Sequence, residues 1–323
     1  MTAIAGLGRA SGTRRRPLAE YALVATTLVE IAVFAALAPQ FFSLGNAVNI
    51  AQSIAVTGIL AAGMTAVILT GGIDLSVGSV VALAGVAAAM TAAASGSVAL
   101  ALLAALGVGL AVGVVNGLLV TLLGVPAFIA TLATMTAARG LAFLVSGGRS
   151  VGDLPSAFGA LGRATPLGIP ATVYVMAAVM LAAAVVLRRT VVGRYVYAVG
   201  GNPQASWMAG VPTRRVTRLV YGASGVLAGL GGFVLASRLA AGVPNSGVQY
   251  ELDVIAAVVV GGTSLSGGRG SIAGTLWGAV FIGVLTNGLN LSDVDTYVQK
   301  IALGAVIVIA VVLDQLGRKR AAW

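Results

Sequence analysis

The chain has 323 residues, 59% of them apolar and only 9% charged, with a mean hydropathy of +1.03. Soluble domains run near one-quarter charged, so these values exclude that class and point to an all-α polytopic membrane bundle. The sequence has no histidine and no cysteine, which removes disulfides, thiol chemistry, histidine relays and most zinc sites, and its +10 net charge gathers at the ends of apolar runs, a membrane signature and not a nucleic-acid one.

In chain order, a polar tail over residues 1–17 carries Arg9 and the run Arg14 to Arg16. Leu18 to Ala38 is the first apolar span. Ala36-Leu37-Ala38 mimics a signal cleavage site, but the run is long for a signal core and Pro39 would follow the cut, which favours a retained helix with its N-terminus in the cytoplasm. Spans of the ~20 residues that a bilayer demands follow at 47–69, 77–94, 98–122, 126–145 and 169–187. After a basic stretch come 217–238, a short one near Leu252 to Ser264, then 271–291 and 298–313. These about ten crossings form one permease domain, 18–316, with both termini cytoplasmic, the basic tail 317–323 included, and Glu251, Asp253, Asp293 and Asp295 outside.

The stretch 188–218 interrupts the apolar pattern with six arginines and no acid, and the crossing count places it in the cytoplasm. Its centre is punctuated as a short helix. Asn202 suits the N-cap, Pro203 the first helical position, Gln204 to Ala209 give about two turns, and Gly210 with Pro212 ends them. Trp207 and Met208 ride on this helix, which is too short to span anything. It reads either as an ordinary basic loop or as a docking surface for a cytoplasmic partner.

Gly71-Gly72-Ile73-Asp74-Leu75-Ser76 recurs as Gly261-Gly262-Thr263-Ser264-Leu265-Ser266, and Asn116-Gly117-Leu118 echoes Asn287-Gly288-Leu289, which suggests an internal repeat around the basic stretch. Glycine-broken spans at matching places point to a transport pathway, although double glycines also mark plain turns. Asp74 and Arg139 are the ionisable candidates for that pathway, set against helix capping for the acid and snorkelling for the arginine. Asn116, Asn287, Gln52, Thr57, Thr65, Thr70, Thr131, Thr134 and Asn290 are polar residues that would line a route or simply bond between helices. Glycines at four-residue spacing (Gly109/Gly113/Gly117, Gly225/Gly229, Gly274/Gly278) predict close helix contacts.

No G-x-x-x-x-G-K-[ST] phosphate loop occurs, so no ATP hydrolysis is expected of this chain, and no nucleophile–base or metal cluster marks an enzyme. No cofactor is implied. A stand-alone secondary transporter or channel remains the competing class.

Four stretches then carry a resemblance: GGIDLSVGS from Gly71, PAFIATLATMTAARGLA from Pro126, GRYVYAVGGNPQASWMAGV from Gly193 and AAVVVGGTSLSGGRGSIAGT from Ala256. Over about Asn46 to Asp314 the chain resembles the permease subunits of ribose/xylose/arabinose/galactoside-type sugar ABC importers, and branched-chain amino-acid permeases less closely. The resemblance implies a monosaccharide permease of the inner membrane, paired with a second copy or a paralogue above two cytoplasmic ABC ATPase subunits. It also implies a periplasmic or lipid-anchored sugar-binding protein. By the same resemblance Gly193, Arg194, Gly201, Asn202, Pro203, Gln204, Ala205, Trp207, Met208 and Gly210 would meet the ATPase.

Overall fold

The computed structural model describes residues 16–319, with side chains described between Leu23 and Val312 and at Gln315. Of the expected cytoplasmic tails 1–17 and 317–323, residues 1–15, with Arg9, Arg14 and Arg15, and 320–323 lie outside the described residues. Within them the protein is all α: α1 (Arg16–Leu37), α2 (Leu44–Leu69), α3 (Val77–Ser95), α4 (Val98–Thr121), α5 (Ala127–Ser146), α6 (Ala160–Arg163), α7 (Ala171–Arg189), α8 (Val191–Gly201), α9 (Pro203–Met208), α10 (Thr213–Leu239), α11 (Tyr250–Val260), α12 (Ile272–Leu291) and α13 (Thr296–Lys319). The β structure among these residues is one bridge, where Val151 and Gly242 exchange both backbone hydrogen bonds.

Seven helices (α2, α3, α4, α5, α7, α10 and α12) are long and apolar enough to cross a membrane, and α1 and α13 carry shorter apolar runs at Leu23–Leu37 and Thr296–Val312. The expected ten crossings are thus approximate, and the weak one departs from expectation. At 11 residues, α11 rises about 16 Å, half of a ~30 Å hydrocarbon core. It also starts inside the protein. The segment before it passes Gly242 along Val86 and Ala89 of α3 and reaches Gly247, whose left-handed backbone (φ +67°) lies against Gly78 in the first turn of α3. Glu251 therefore packs beside Gly78 and not out on a loop, because the chain runs against α3 before its helix begins.

The bundle closes around α10, which packs on α4, α3 and α2. The glycine spacing explains how. Gly109, Gly113 and Gly117 of α4 face Gly225, Gly229 and the Arg218 backbone of α10 so closely that a β-carbon at Gly109, Gly113, Gly225 or Gly229 would run into the opposing backbone. Without a hydrophobic drive between helices in lipid, such backbone approach supplies the packing energy. Gly274 and Gly278 do the same against Gly261 and Ala257. These glycines are consumed within one chain.

The basic stretch is mostly helix. α7 runs on to Arg189, Thr190 caps α8 by accepting from the Gly193 amide at 3.2 Å, and α10 begins at Thr213. Sequence reading missed α8, whose Val196 and Val199 are buried while Val191, Val192 and Arg194 are exposed.

Candidate functional site: a docking helix joined to two helix breaks

α9 forms as its punctuation predicts. The Asn202 side chain accepts from the Ala205 amide at 2.9 Å, Pro203 fills the first turn where no amide is needed, and Gly210 supplies a left-handed exit at φ +82°. Ser206 turns inward, while Pro203, Gln204 and Ala205 are exposed and Trp207 and Met208 are 68% and 76% exposed. Two large apolar side chains standing free on so short a helix are a contact surface without a contact.

α9 is anchored through α8. Gly193 makes the α7–α8 corner, its α-carbon against the carbonyls of Val186 and Leu187, and Arg194 one residue on is exposed. At the far end, Gly200 lies so close to the Leu69 carbonyl and the Gly268 amide that only glycine fits, and Gly201 packs against Gly268. Leu69 ends α2, just before the first glycine break, and Gly268 lies in the second. The two breaks also touch each other: the Gly268 amide donates to the Leu69 carbonyl at 2.9 Å. Tyr197 adds a hydroxyl bond to the Gly270 carbonyl at 3.0 Å. Both breaks and the foot that carries α9 thus meet in one backbone-to-backbone junction.

The repeat is real at the breaks but one residue out of the register that the glycine pairs suggest. After α2 the Gly71 amide donates to Ile68 and the Gly72 amide to Val67, and after α11 the Gly262 amide donates to Val259 and the Thr263 amide to Val258. These are the paired bonds of a Schellman stop, and Gly71 and Gly262 share φ +82°. Gly71 is equivalent to Gly262 in backbone, not to Gly261. The second echo has no structural counterpart, since Asn116 lies on α4, the second helix after its break, and Asn287 on α12, the first.

The four pathway candidates fall into three places. Asp74 (1% exposed) and Asn116 (0%) belong to one buried chain. Ser76 donates to Asp74 from its amide at 3.0 Å and its hydroxyl at 2.6 Å, and Ser224 of α10 donates to the other carboxyl oxygen at 3.0 Å. Asn116 donates to the Ser76 oxygen at 3.0 Å and accepts from Thr134 of α5 at 2.6 Å. Burial pushes the Asp74 carboxyl above its usual range, and the bonds from Ser76 and Ser224 pull against that rise. Arg139 stands apart: it donates to the carbonyls of Pro244 (2.9 Å) and Ser246 (2.7 Å), pinning the segment that leads into α11. Asn287 is elsewhere again, in a reciprocal pair with Asn46 at 2.8 and 3.0 Å. Other polar residues also bond between elements, as Thr65 does with Thr275 at 2.8 Å and Gln52 with the Gly162 carbonyl at 3.2 Å.

Sequence reading passes over Glu30. It lies mid-way along α1, and both its carboxyl oxygens are buried without a hydrogen-bond partner among the described residues. An acid inside the first span was the available signal.

The comparisons with known proteins agree with this architecture. Residues 46–311 match the family described as branched-chain amino acid transport system / permease component. The ribose import permease protein RbsC of Escherichia coli (strain K12) is 44% identical over 311 residues, covering 95% of this chain and 97% of that one. RbsC of Bacillus subtilis (strain 168) is 43% identical over 287 residues (88% and 89%), and the L-arabinose transport system permease protein AraH of E. coli (strain K12) is 34% identical over 308 residues (93% and 92%). No solved structure matches. With the matched region spanning every described helix from α2 to α12 and relatives aligned almost end to end, the chain belongs to this family of transport permease components.

Proposed function

We propose that the protein is the membrane subunit of an ATP-driven importer and carries a monosaccharide, a ribose-like pentose or a hexose, into the cytoplasm by alternating access. The observation that carries this reading is α9: an exposed Trp207–Met208 face whose base, through Gly200, is locked to both helix breaks. ATP binding in a separate cytoplasmic ATPase pair would move that face, and the junction would pass the motion to α2 and α11. The ATPase drives the cycle only if it binds the two permease states with different affinity. The basic hollow of Trp207, Arg214, Arg215 and Arg218 beside α9 suits an acidic rim on such a partner.

On this reading the chain lies in the inner membrane as a domain over 18–316, with 188–218 and both tails on the cytoplasmic side. It works with a second permease copy or a paralogue, and an external sugar-binding protein delivers the cargo. Asp74, Asn116, Arg139 and Asn287 remain pathway candidates, with Asp74 and Asn116 better suited to bracing helices than to meeting sugar. The family description mentions branched-chain amino acids, but the relatives named above are ribose and arabinose permeases, which favours a sugar.

The test is uptake of labelled ribose and arabinose by cells expressing the chain with its ATPase and binding protein. Gly210→Pro, or deletion of residues 202–210, is expected to leave the membrane fold intact and abolish ATP-dependent uptake. Normal uptake by these variants would remove the coupling role. Accumulation of sugar by the purified chain alone in nucleotide-free liposomes would overturn the importer reading in favour of a self-powered transporter.

A further inference from the structure

A hollow of about 820 Å³ opens beside the α8 foot, lined by residues of α1, α7, α8 and α11 and by the second glycine break. Three arginines from three different elements converge on it: Arg188 at the end of α7, Arg194 on α8 and Arg269 in the break. Among the described residues no acid lines it, and none of these arginines makes a side-chain hydrogen bond or ion pair. Leu23 of α1, Leu187 of α7 and Val260 of α11 give it apolar walls, and Tyr197 of α8, the glycines of the break and Ser271 complete the lining.

The three arginines are exposed, and like charges lining one hollow favour an anionic ligand there. At about 30 Å³ per water the hollow holds roughly two dozen waters, far more than a bare phosphate needs. Three arginines sharing one hollow with the apolar side chains of Leu23, Leu187 and Val260 match a ligand that is anionic at one end and oily at the other. Basic pockets of this kind between membrane helices suit phospholipid headgroups. The exposed face of α9 is not part of the lining, and Arg194 is the one residue that the hollow shares with the coupling candidates named above.

We infer that this hollow is a binding site for the headgroup of an anionic phospholipid, held by Arg188, Arg194 and Arg269. The site bridges the α7–α8 corner and the second break, so a bound lipid would brace the junction that carries α9. This inference needs the chain to lie in a membrane but does not depend on which solute it carries.

The experiment uses the full-length purified chain, titrated with phosphatidylglycerol or phosphatidylcholine and read by native mass spectrometry and thermal unfolding. The wild type is expected to prefer phosphatidylglycerol by more than about tenfold and to be stabilised by it. Arg188→Gln/Arg269→Gln should weaken phosphatidylglycerol binding about thirtyfold, near fivefold per arginine, while Arg188→Lys/Arg269→Lys retains most of it. Arg194 is left intact, since it is also a coupling candidate. Equal affinity of the wild type for both lipids would overturn the proposal. So would full displacement of the lipid by millimolar inorganic phosphate, which would mark a site for a free anion. Loss of the ATPase from a pull-down of the glutamine pair, with lipid binding unchanged, would assign the arginines to the protein partner instead.

Discussion

After α2 the chain leaves its Schellman stop and sinks Asp74 into donors from Ser76 and Ser224, with Asn116 and Thr134 behind them. After α11 the same stop leads into Thr263 to Gly270, a stretch with three glycines and two serines that carries no acid and packs by its backbone on Gly200 and Gly201. The first break is therefore tied by side chains to α4, α5 and α10, and it can shift only if a buried polar chain is rebuilt. At the second, close backbone packing on Gly200 and Gly201 is joined by single hydrogen bonds such as Gly268 to Leu69 and Tyr197 to Gly270, each worth little by itself. One break is a fixed point and the other a joint, and α8 leans on both.

The sharpest way to break this comparison is at the fixed point. Asp74→Ala strips the acceptor from three donors, the Ser76 amide and hydroxyl and the Ser224 hydroxyl, and leaves them short of a partner in a sealed interior, a loss of roughly 3 kcal/mol or more. Asp74→Asn keeps an oxygen for Ser76 and presents an amide that Ser224 can accept, so most of the stability should return. Thermal unfolding of the purified variants decides the matter. If both melt like the wild type, the network is not what fixes the first break.

At the joint, Gly200→Ala drives a β-carbon into the Leu69 carbonyl and the Gly268 amide, both backbone atoms that cannot rotate away. Overpacking of this kind costs about 1–3 kcal/mol. The comparison adds a split that a merely structural role would lack: sugar uptake per folded molecule should fall far more than for a destabilising substitution elsewhere. The ratio of uptake to folded protein checks it, with Gly283→Ala as the control, since there the added carbon meets only the Ile54 side chain.

What the sequence carried and what it did not divides along the same line. Helix punctuation is local chemistry, so α9 was legible from Asn202, Pro203 and Gly210 alone. The span pattern was legible too, because hydropathy reports the bilayer directly. Three things escaped. α8 hides in a charged stretch, since an 11-residue amphipathic helix beside a membrane has neither span length nor a loop's composition. The one-residue slip between the breaks escaped because identical Gly-Gly letters outweigh a backbone equivalence that only hydrogen bonds reveal. The meeting of Asp74 with Ser224, 150 residues away, is tertiary and has no local trace. Arg139 was visible as a charge, but its role in pinning Pro244 and Ser246 was not.

Smaller effects test how α9 hangs from the joint. Asn202→Ala removes the bond to the Ala205 amide and should cost about 1 kcal/mol, confined to α9. Hydrogen exchange is the suitable probe: amides of Ala205 and Ser206 should lose protection while those of α8 keep theirs. Loss of protection spreading through α8 to Gly200 would mean that foot and junction unfold as one unit.

Trp207→Ala should disturb the fold least of all, with an expected change within ±0.5 kcal/mol, because its ring stands largely in solvent. The same change is expected to remove a large, rigid apolar anchor from the ATPase contact, where a buried tryptophan typically contributes 2 kcal/mol or more. A melting temperature like that of the wild type, together with at least about tenfold weaker retention of the ATPase on an affinity column, is therefore the expected pair of results. If retention is unchanged while the Arg214/Arg215/Arg218 hollow proves necessary, the partner grips the basic side of the foot and not its apolar tip. The comparison would then shift from how α9 is anchored to which of its faces is pulled.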